Sequence, residues 1–193
     1  TSSSFPRGLV RVFSGASVTV LLSILGPQPN NPFTREFGQA ISLVGDIDGD
    51  GVEDIAIGSP QEGATAFTSF GACRIYSGAD GSLLRPLTGT VSQGRFGNSL
   101  AALGDIDADN INDLAVGAPG ASGGQGQVRV HSGADGGVIY NIGGSGLQNL
   151  GLQMSNIGDM NGDGHDDLAV LGGFGGRLLQ VHSGLDGTLN AQS

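Results

Sequence analysis

Eleven of the chain's 18 acidic residues fall into three short clusters whose spacing is that of oxygen ligands around a hard cation. The first reads DIDGDGVED and sets Asp46, Asp48, Asp50 and Asp54 at loop positions 1, 3, 5 and 9, with the carbonyl of Val52 at position 7. The second offers Asp105, Asp107, Asp109 and Asp113, with the carbonyl of Ile111. The third offers Asp159, Asn161, Asp163 and Asp167, with the carbonyl of His165. Gly51 permits the sharp turn that brings the ends of the first loop together. Asn110 replaces that glycine in the second loop, and asparagine tolerates left-handed geometry better than most residues. Asn161 is a neutral donor, so the third site carries one charge fewer and is expected to bind more weakly.

Such carboxylates repel one another, which raises their pKa values and strains the turn unless a divalent ion sits among them. Oxygen-only donors disfavour zinc and copper. Mg²⁺ keeps a rigid octahedron with several waters, whereas a flexible loop supplying five or more oxygens suits Ca²⁺. Three calcium sites are the expectation. The plainer alternative is an acidic turn in which aspartate merely forms the bend, and threefold recurrence at ligand spacing counts against it. An EF-hand needs a glutamate at position 12, where this chain has Ile57, Val116 and Val170. Glu53 and Asp166 are off the ligand spacing and are expected to face solvent. Asp80, Asp135 and Asp186 stand in SGxDG segments, where Asp-Gly signals a hairpin turn.

The rest of the composition narrows the class. Glycine accounts for 37 of 193 residues without a triplet period, which excludes collagen and suits many tight turns between short strands. The net charge of −10 makes nucleic acid and anionic membrane poor partners. Cys73 is the only cysteine, so no intrachain disulfide forms, and a small apolar slot is its expected place. No apolar run approaches the ~20 residues of a membrane-spanning helix, so membrane insertion is not expected. The chain opens Thr-Ser-Ser-Ser without methionine, which fits a processed product.

The loops lie inside a repeat. FGQAISLVGDIDGDGVEDIAIGSP (37–60) recurs as FGNSLAALGDIDADNINDLAVGAP (96–119) and, more loosely, as LGLQMSNIGDMNGDGHDDLAVLGG (150–173). A second motif follows each: CRIYSGADGSLL from Cys73, VRVHSGADGGVI from Val128 and LQVHSGLDGTLN from Leu179. An orphan copy, VRVFSGASVTVLL from Val10, has no acidic loop before it. Alternation parses each unit into four strands, in the second unit roughly 98–104, 113–118, 127–132 and 137–142, with almost no helix. Four-stranded units at this period predict an all-β fold, a β-propeller of antiparallel blades. The units divide the chain into an N-terminal half-blade (1–29) and blades at 30–92, 93–146 and 147–193.

Phe37-Gly38 and Phe96-Gly97, each followed by an aspartate loop and then by GSP (58–60) or GAP (117–119), resemble the FG-GAP repeat. That repeat builds the propeller of integrin α subunits and of bacterial secreted proteins. The third unit departs from it, with Leu150-Gly151 for FG and Leu171-Gly172-Gly173 for GAP, which questions its packing against a next blade. The resemblance implies a secreted or cell-surface calcium-binding module with a structural or adhesive role. It also implies that the calcium loops stiffen one face while partners bind loops of the other, here 61–71, 120–126, 173–176, 26–36, 88–95 and 143–149. Phe67 and Phe70 make the first of these the favoured contact.

Fourteen strands amount to three and a half blades, fewer than an ordinary closed ring, so both ends need cover. A partner protein or copies of the chain are expected there, and head-to-tail stacking into a fibre is the alternative function. An accessory module of a larger secreted hydrolase is a third reading. No catalytic residues are expected. His131 and His182 fill the strand slot that holds Phe13 and Tyr76 in other copies, and neighbouring Ser132 and Ser183 point to the opposite strand face. Nor is there a cofactor site apart from the metal loops.

Overall fold

The computed structural model describes residues 8–27, 36–63, 68–145, 149–173 and 178–192. Fourteen strands lie among them. The two-stranded half-blade is β1 (Leu9–Phe13) and β2 (Val20–Leu25). The first blade is β3 (Ile41–Leu43), β4 (Ile55–Ser59), β5 (Ala72–Tyr76) and β6 (Leu83–Thr88). The second is β7 (Ser99–Ala102), β8 (Leu114–Ala118), β9 (Gln127–His131) and β10 (Val138–Gly143). The third is β11 (Gln153–Asn156), β12 (Leu168–Gly172), β13 (Leu178–His182) and β14 (Leu189–Gln192). Each blade is an antiparallel meander in chain order, and among the described residues helix is limited to one turn at Ala121–Gly124. The expected strands of the second unit hold to within two residues.

Burial follows position within the blade. The second strands IAIGS and LAVGA are buried at every residue, because a neighbouring sheet covers both of their faces. The fourth strands β6 and β10 are more open, with a single buried residue each. Inner strands β3, β7 and β11 lie side by side, so successive blades fan out from a common axis. The core therefore sits between blades, not within them. Val10, Ile24, Phe37, Ile57 and Tyr76 join the half-blade to the first blade. Ile75, Phe96, Leu114 and Val116 are among those joining the first to the second, and Leu103, Val128, Val130, Leu150 and Leu168 among those joining the second to the third. Cys73 is fully buried in the seam between the first and second blades, where burial pushes its thiol up to about 12.

Close approach between blades depends on missing side chains. A Cβ on Gly58 would lie 2.0 Å from the carbonyl oxygen of Gly97, and one on Gly117 would lie 2.3 Å from that of Gly151. The FG turn of the second blade, and its Leu150-Gly151 counterpart in the third, thus rest on the glycine of the preceding GSP or GAP segment. Single parallel bridges, Gly71 to Phe96 and Gly126 to Leu150, fix the register of the seam. In the third blade the matching position on β12 holds Leu171. Its trailing face accordingly lacks the opening that receives an FG turn.

Gly117→Ala is expected to cost about 1–3 kcal/mol through overpacking at the seam. Chemical denaturation followed by circular dichroism should show this as a lower midpoint with an unchanged slope.

Candidate metal sites

Each aspartate loop joins the first and second strands of its blade. Backbone bonds close its neck: Asp54 N donates to Gly45 O (2.8 Å) and Asp113 N to Gly104 O (2.8 Å), while Asp167 N donates to Gly158 O (2.9 Å). Inside the first loop, Asp46 Oδ1 accepts from Gly49 and Asp50 N–H, and its Oδ2 accepts from Gly51 N–H. Asp50 Oδ1 accepts from Val52 N–H. The same pattern returns at Asp159 and Asp163 in the third loop, and at Asp105 and Asp109 in the second without the bond from the residue matching Gly49. The loop backbone winds around its own carboxylates, which leaves their remaining lone pairs converging.

The position-1, -3 and -5 aspartates come together as the spacing predicts. Asp46, Asp48 and Asp50 each bring a carboxylate oxygen within 4.8 Å of the others, and so do Asp105, Asp107 and Asp109. Lost hydration and the charges of Asp54, Asp50 and Asp46 push Asp48 above the ordinary carboxylate value. Lost hydration and the charge of Asp109 do the same to Asp107. These oxygens suit a divalent ion, which would take up that repulsion.

The position-9 aspartates stand apart from those triads. Asp54, Asp113 and Asp167 are completely buried beneath their loops. Asp54 Oδ2 accepts from Ile47 N–H (2.8 Å) and its Oδ1 from Gly78 N–H (3.0 Å). Asp113 repeats both bonds, with Ile106 (2.7 Å) and Gly133 (3.1 Å). Burial pushes the Asp113 carboxyl up, against the downward pull of those N–H groups. The Asp54 and Asp113 carboxylates thereby tie the acidic loop to the turn between their blade's third and fourth strands.

The third loop is different in chemistry as well as in charge. Asn161 Nδ2 donates to Asp163 Oδ2 (2.9 Å), while its amide oxygen accepts from Asp163 N–H (2.8 Å). In the other two loops an aspartate stands where this amide does. Asp163 is lowered below the ordinary value, first by the His165 N–H and then by Asn161.

Left-handed backbone recurs in all three loops. Gly49 and Gly51 have φ of 79° and 89°, and Gly162 and Gly164 have 80° and 90°. In the second loop the same two places hold Ala108 (φ 64°) and Asn110 (φ 70°). The asparagine was legible as a glycine substitute. Ala108 was not, and it carries a left-handed penalty without any side-chain compensation.

The remaining candidates lie where packing puts them. His131 and His182 are buried, and each Nδ1 donates to a carbonyl, that of Gly136 or Gly187 (2.9 Å in both). Ser132 and Ser183 do not turn toward them; their hydroxyls point to Asp109 and Asp163. Asp80, Asp135 and Asp186 accept from backbone N–H two residues on, as hairpin turns require. Glu53 and Asp166 are exposed. Of the expected contact loops, Phe70 is 37% exposed, while Phe67 and residues 28–35, 146–148 and 174–177 lie outside the described residues.

Antiparallel blades fanned about an axis, each with a carboxylate loop between its first two strands, define a partial β-propeller of acidic-loop repeats. A family model for the FG-GAP repeat matches residues 37–76 and 96–131, so the first and second blades carry that repeat. The chain is similar to integrin alpha-5 of Xenopus laevis, at 32% identity over 92% of this chain and 18% of that protein. Integrin alpha-8 of Mus musculus is 34% identical over 91% of this chain and 18% of its own length. Integrin alpha-V of Gallus gallus is 32% identical over 77% of this chain and 15% of its own. The chain therefore spans less than a fifth of these relatives.

Two outcomes follow. Ala108→Gly should raise stability by roughly 0.5–1 kcal/mol, the left-handed penalty less the entropy that glycine adds to the unfolded chain; a denaturant midpoint measures it. Burial holds His131 and His182 below their ordinary value. The unfolded chain thus binds protons first as pH falls below about 6.5, and stability present above that pH is lost on acidification. Denaturation at pH 7.5 and 5.5 should show less of that loss in His131→Tyr/His182→Tyr, which places at both sites the residue found at Tyr76.

Proposed function

We propose that this chain is a calcium-binding β-propeller module with an adhesive or structural role outside the cell. The observation that carries the reading is the pair of carboxylate triads, each with oxygens gathered within 4.8 Å on an FG-GAP blade. The proposed ligands are Asp46, Asp48, Asp50, Asp54 and the Val52 carbonyl; Asp105, Asp107, Asp109, Asp113 and the Ile111 carbonyl; and Asp159, Asn161, Asp163, Asp167 and the His165 carbonyl. Calcium would supply the charge that lets each loop hold its acids together. Millimolar calcium outside cells would keep even weak sites filled. A non-enzymatic role fits the integrin α relatives.

Antiparallel order places the metal loops and the SGxDG turns at one end of every blade. The loops between second and third strands and between blades lie at the other, where Gln93 N–H donates to Ser69 O and Gly120 N–H to Gly94 O. That braced end is the proposed protein-binding face. The half-blade also turns Leu9, Leu21 and Leu25 outward (43%, 65% and 59% exposed), a surface suited to a protein partner. Head-to-tail stacking of copies is less well supported, because Leu171 stands where an incoming FG turn would need glycine.

Thermal unfolding with and without chelator tests the metal reading. For a ligand at 100 times its dissociation constant, each filled site contributes about 2.7 kcal/mol. The melting temperature should therefore fall clearly in EDTA and return with added calcium, and an unchanged melt would refute the sites.

A further inference from the structure

The Ser-Gly pair that ends the third strand of every repeat reads from sequence as a hairpin turn, yet its hydroxyl reaches the metal loop. Ser77 Oγ donates to Asp50 Oδ2 at 3.5 Å, Ser132 Oγ to Asp109 Oδ2 at 3.5 Å and Ser183 Oγ to Asp163 Oδ2 at 3.1 Å. In each case the partner is the position-5 carboxylate, more than 19 residues earlier in the chain. The serines are 2%, 7% and 3% exposed. Each hydroxyl oxygen also accepts from the N–H two residues on, of Ala79, Ala134 or Leu185, at 3.2 Å. That turn bond uses a lone pair and leaves the hydroxyl proton for the loop.

The following glycine lets the turn come this close. A Cβ on Gly78, Gly133 or Gly184 would lie 1.9, 2.0 or 1.8 Å from the carbonyl oxygen of Glu53, Asn112 or Asp166. The orphan copy is an internal control. Ser14 and Gly15 keep the same pair, with no acidic loop beside them among the described residues. There Ser14 Oγ accepts from Ala16 and Ser17 N–H, and nothing lies within 4 Å of a Cβ built on Gly15. The turn bond is common to all four copies, with or without a contact to an aspartate. The contact to an aspartate is seen only where there is a metal loop to meet.

We propose that Ser77, Ser132 and Ser183 are positioning residues for the metal loops, each holding the position-5 carboxylate and tying calcium binding to its blade's outer hairpin. The proposal rests on the calcium reading above. Asp50 Oδ1 is held by Val52 N–H and its Oδ2 faces Ser77, so the rotamer is set before an ion arrives. Fixing a ligand from outside the coordination sphere is commonly worth 10–100-fold in metal affinity. The coupling also runs outward: an ion that draws in Asp50 stiffens the 77–82 turn, and through it the edge formed by β5 and β6.

Calcium titration by calorimetry on the whole chain, with amide hydrogen exchange in parallel, tests this. Ser77→Ala/Ser132→Ala/Ser183→Ala should weaken calcium binding by about tenfold per site, while Ser14→Ala leaves it unchanged. In the wild type, calcium should slow exchange in both the loops and the turns at 77–82, 132–137 and 183–188. In the triple variant it should slow the loops alone. Unchanged affinity in the triple variant, or an equal loss in Ser14→Ala, would overturn the proposal. Failure of the wild type to bind calcium would instead strike the metal reading beneath it. If the triple variant does not fold, Ser183→Ala alone decides: one weakened site supports the proposal, and three unaltered sites overturn it.

Discussion

A fully buried carboxylate has to be satisfied on all sides, and three of them organise this chain. Asp54, Asp113 and Asp167 lie beneath their loops with no exposed surface. Two of the three take one N–H from the start of their own loop and another from the turn between the third and fourth strands. Asp167 keeps the first of these, from Met160, and replaces the second with the side-chain amides of Asn190 and Asn161. Both ends of a blade's meander are thus fastened at one atom group. The triads above can gather their charge because this floor is rigid.

Glycine decides what can be stacked on that unit. A blade exposes two sheet faces, and neither is stable in water alone, so burial comes from the next blade. Gly58 and Gly117 admit the neighbour's backbone to a distance that no side chain would allow. The apolar seams of Ile57, Phe96, Val116, Leu150 and their neighbours close around those contacts. Leu171 ends that series on the third blade, and the N-terminal half-blade begins it with a face of its own still exposed.

Much of this was legible in the residues. Period-2 alternation with β-branched residues gave the strands, and literal repetition gave the blades, since a unit that recurs must bury the same face each time. Asp46, Asp48 and Asp50 could be grouped from spacing because a tight loop leaves the chain few other paths. Spacing did not show that Asp54 is also a buried brace, since it does not say which carboxylate of a loop lies beneath it. Ala108 hid because its left-handed backbone is imposed by the loop and not by its own preference. The loop role of Ser77, Ser132 and Ser183 hid for another reason. Their partners are 20–27 residues away, and the turn alone already accounted for the motif. Comparison with the loopless copy at Ser14 is the signal that could have exposed it.

The central claim is that each acidic loop is a calcium site and that the third is the weakest. Native mass spectrometry across a calcium titration measures it directly. The account predicts up to three bound ions per chain, with two filling first and the third, at Asp159, Asn161 and Asp163, filling last and vanishing in Asp159→Ala. Absence of discrete calcium adducts, or a last-filling site abolished by Asp46→Ala instead, would contradict it.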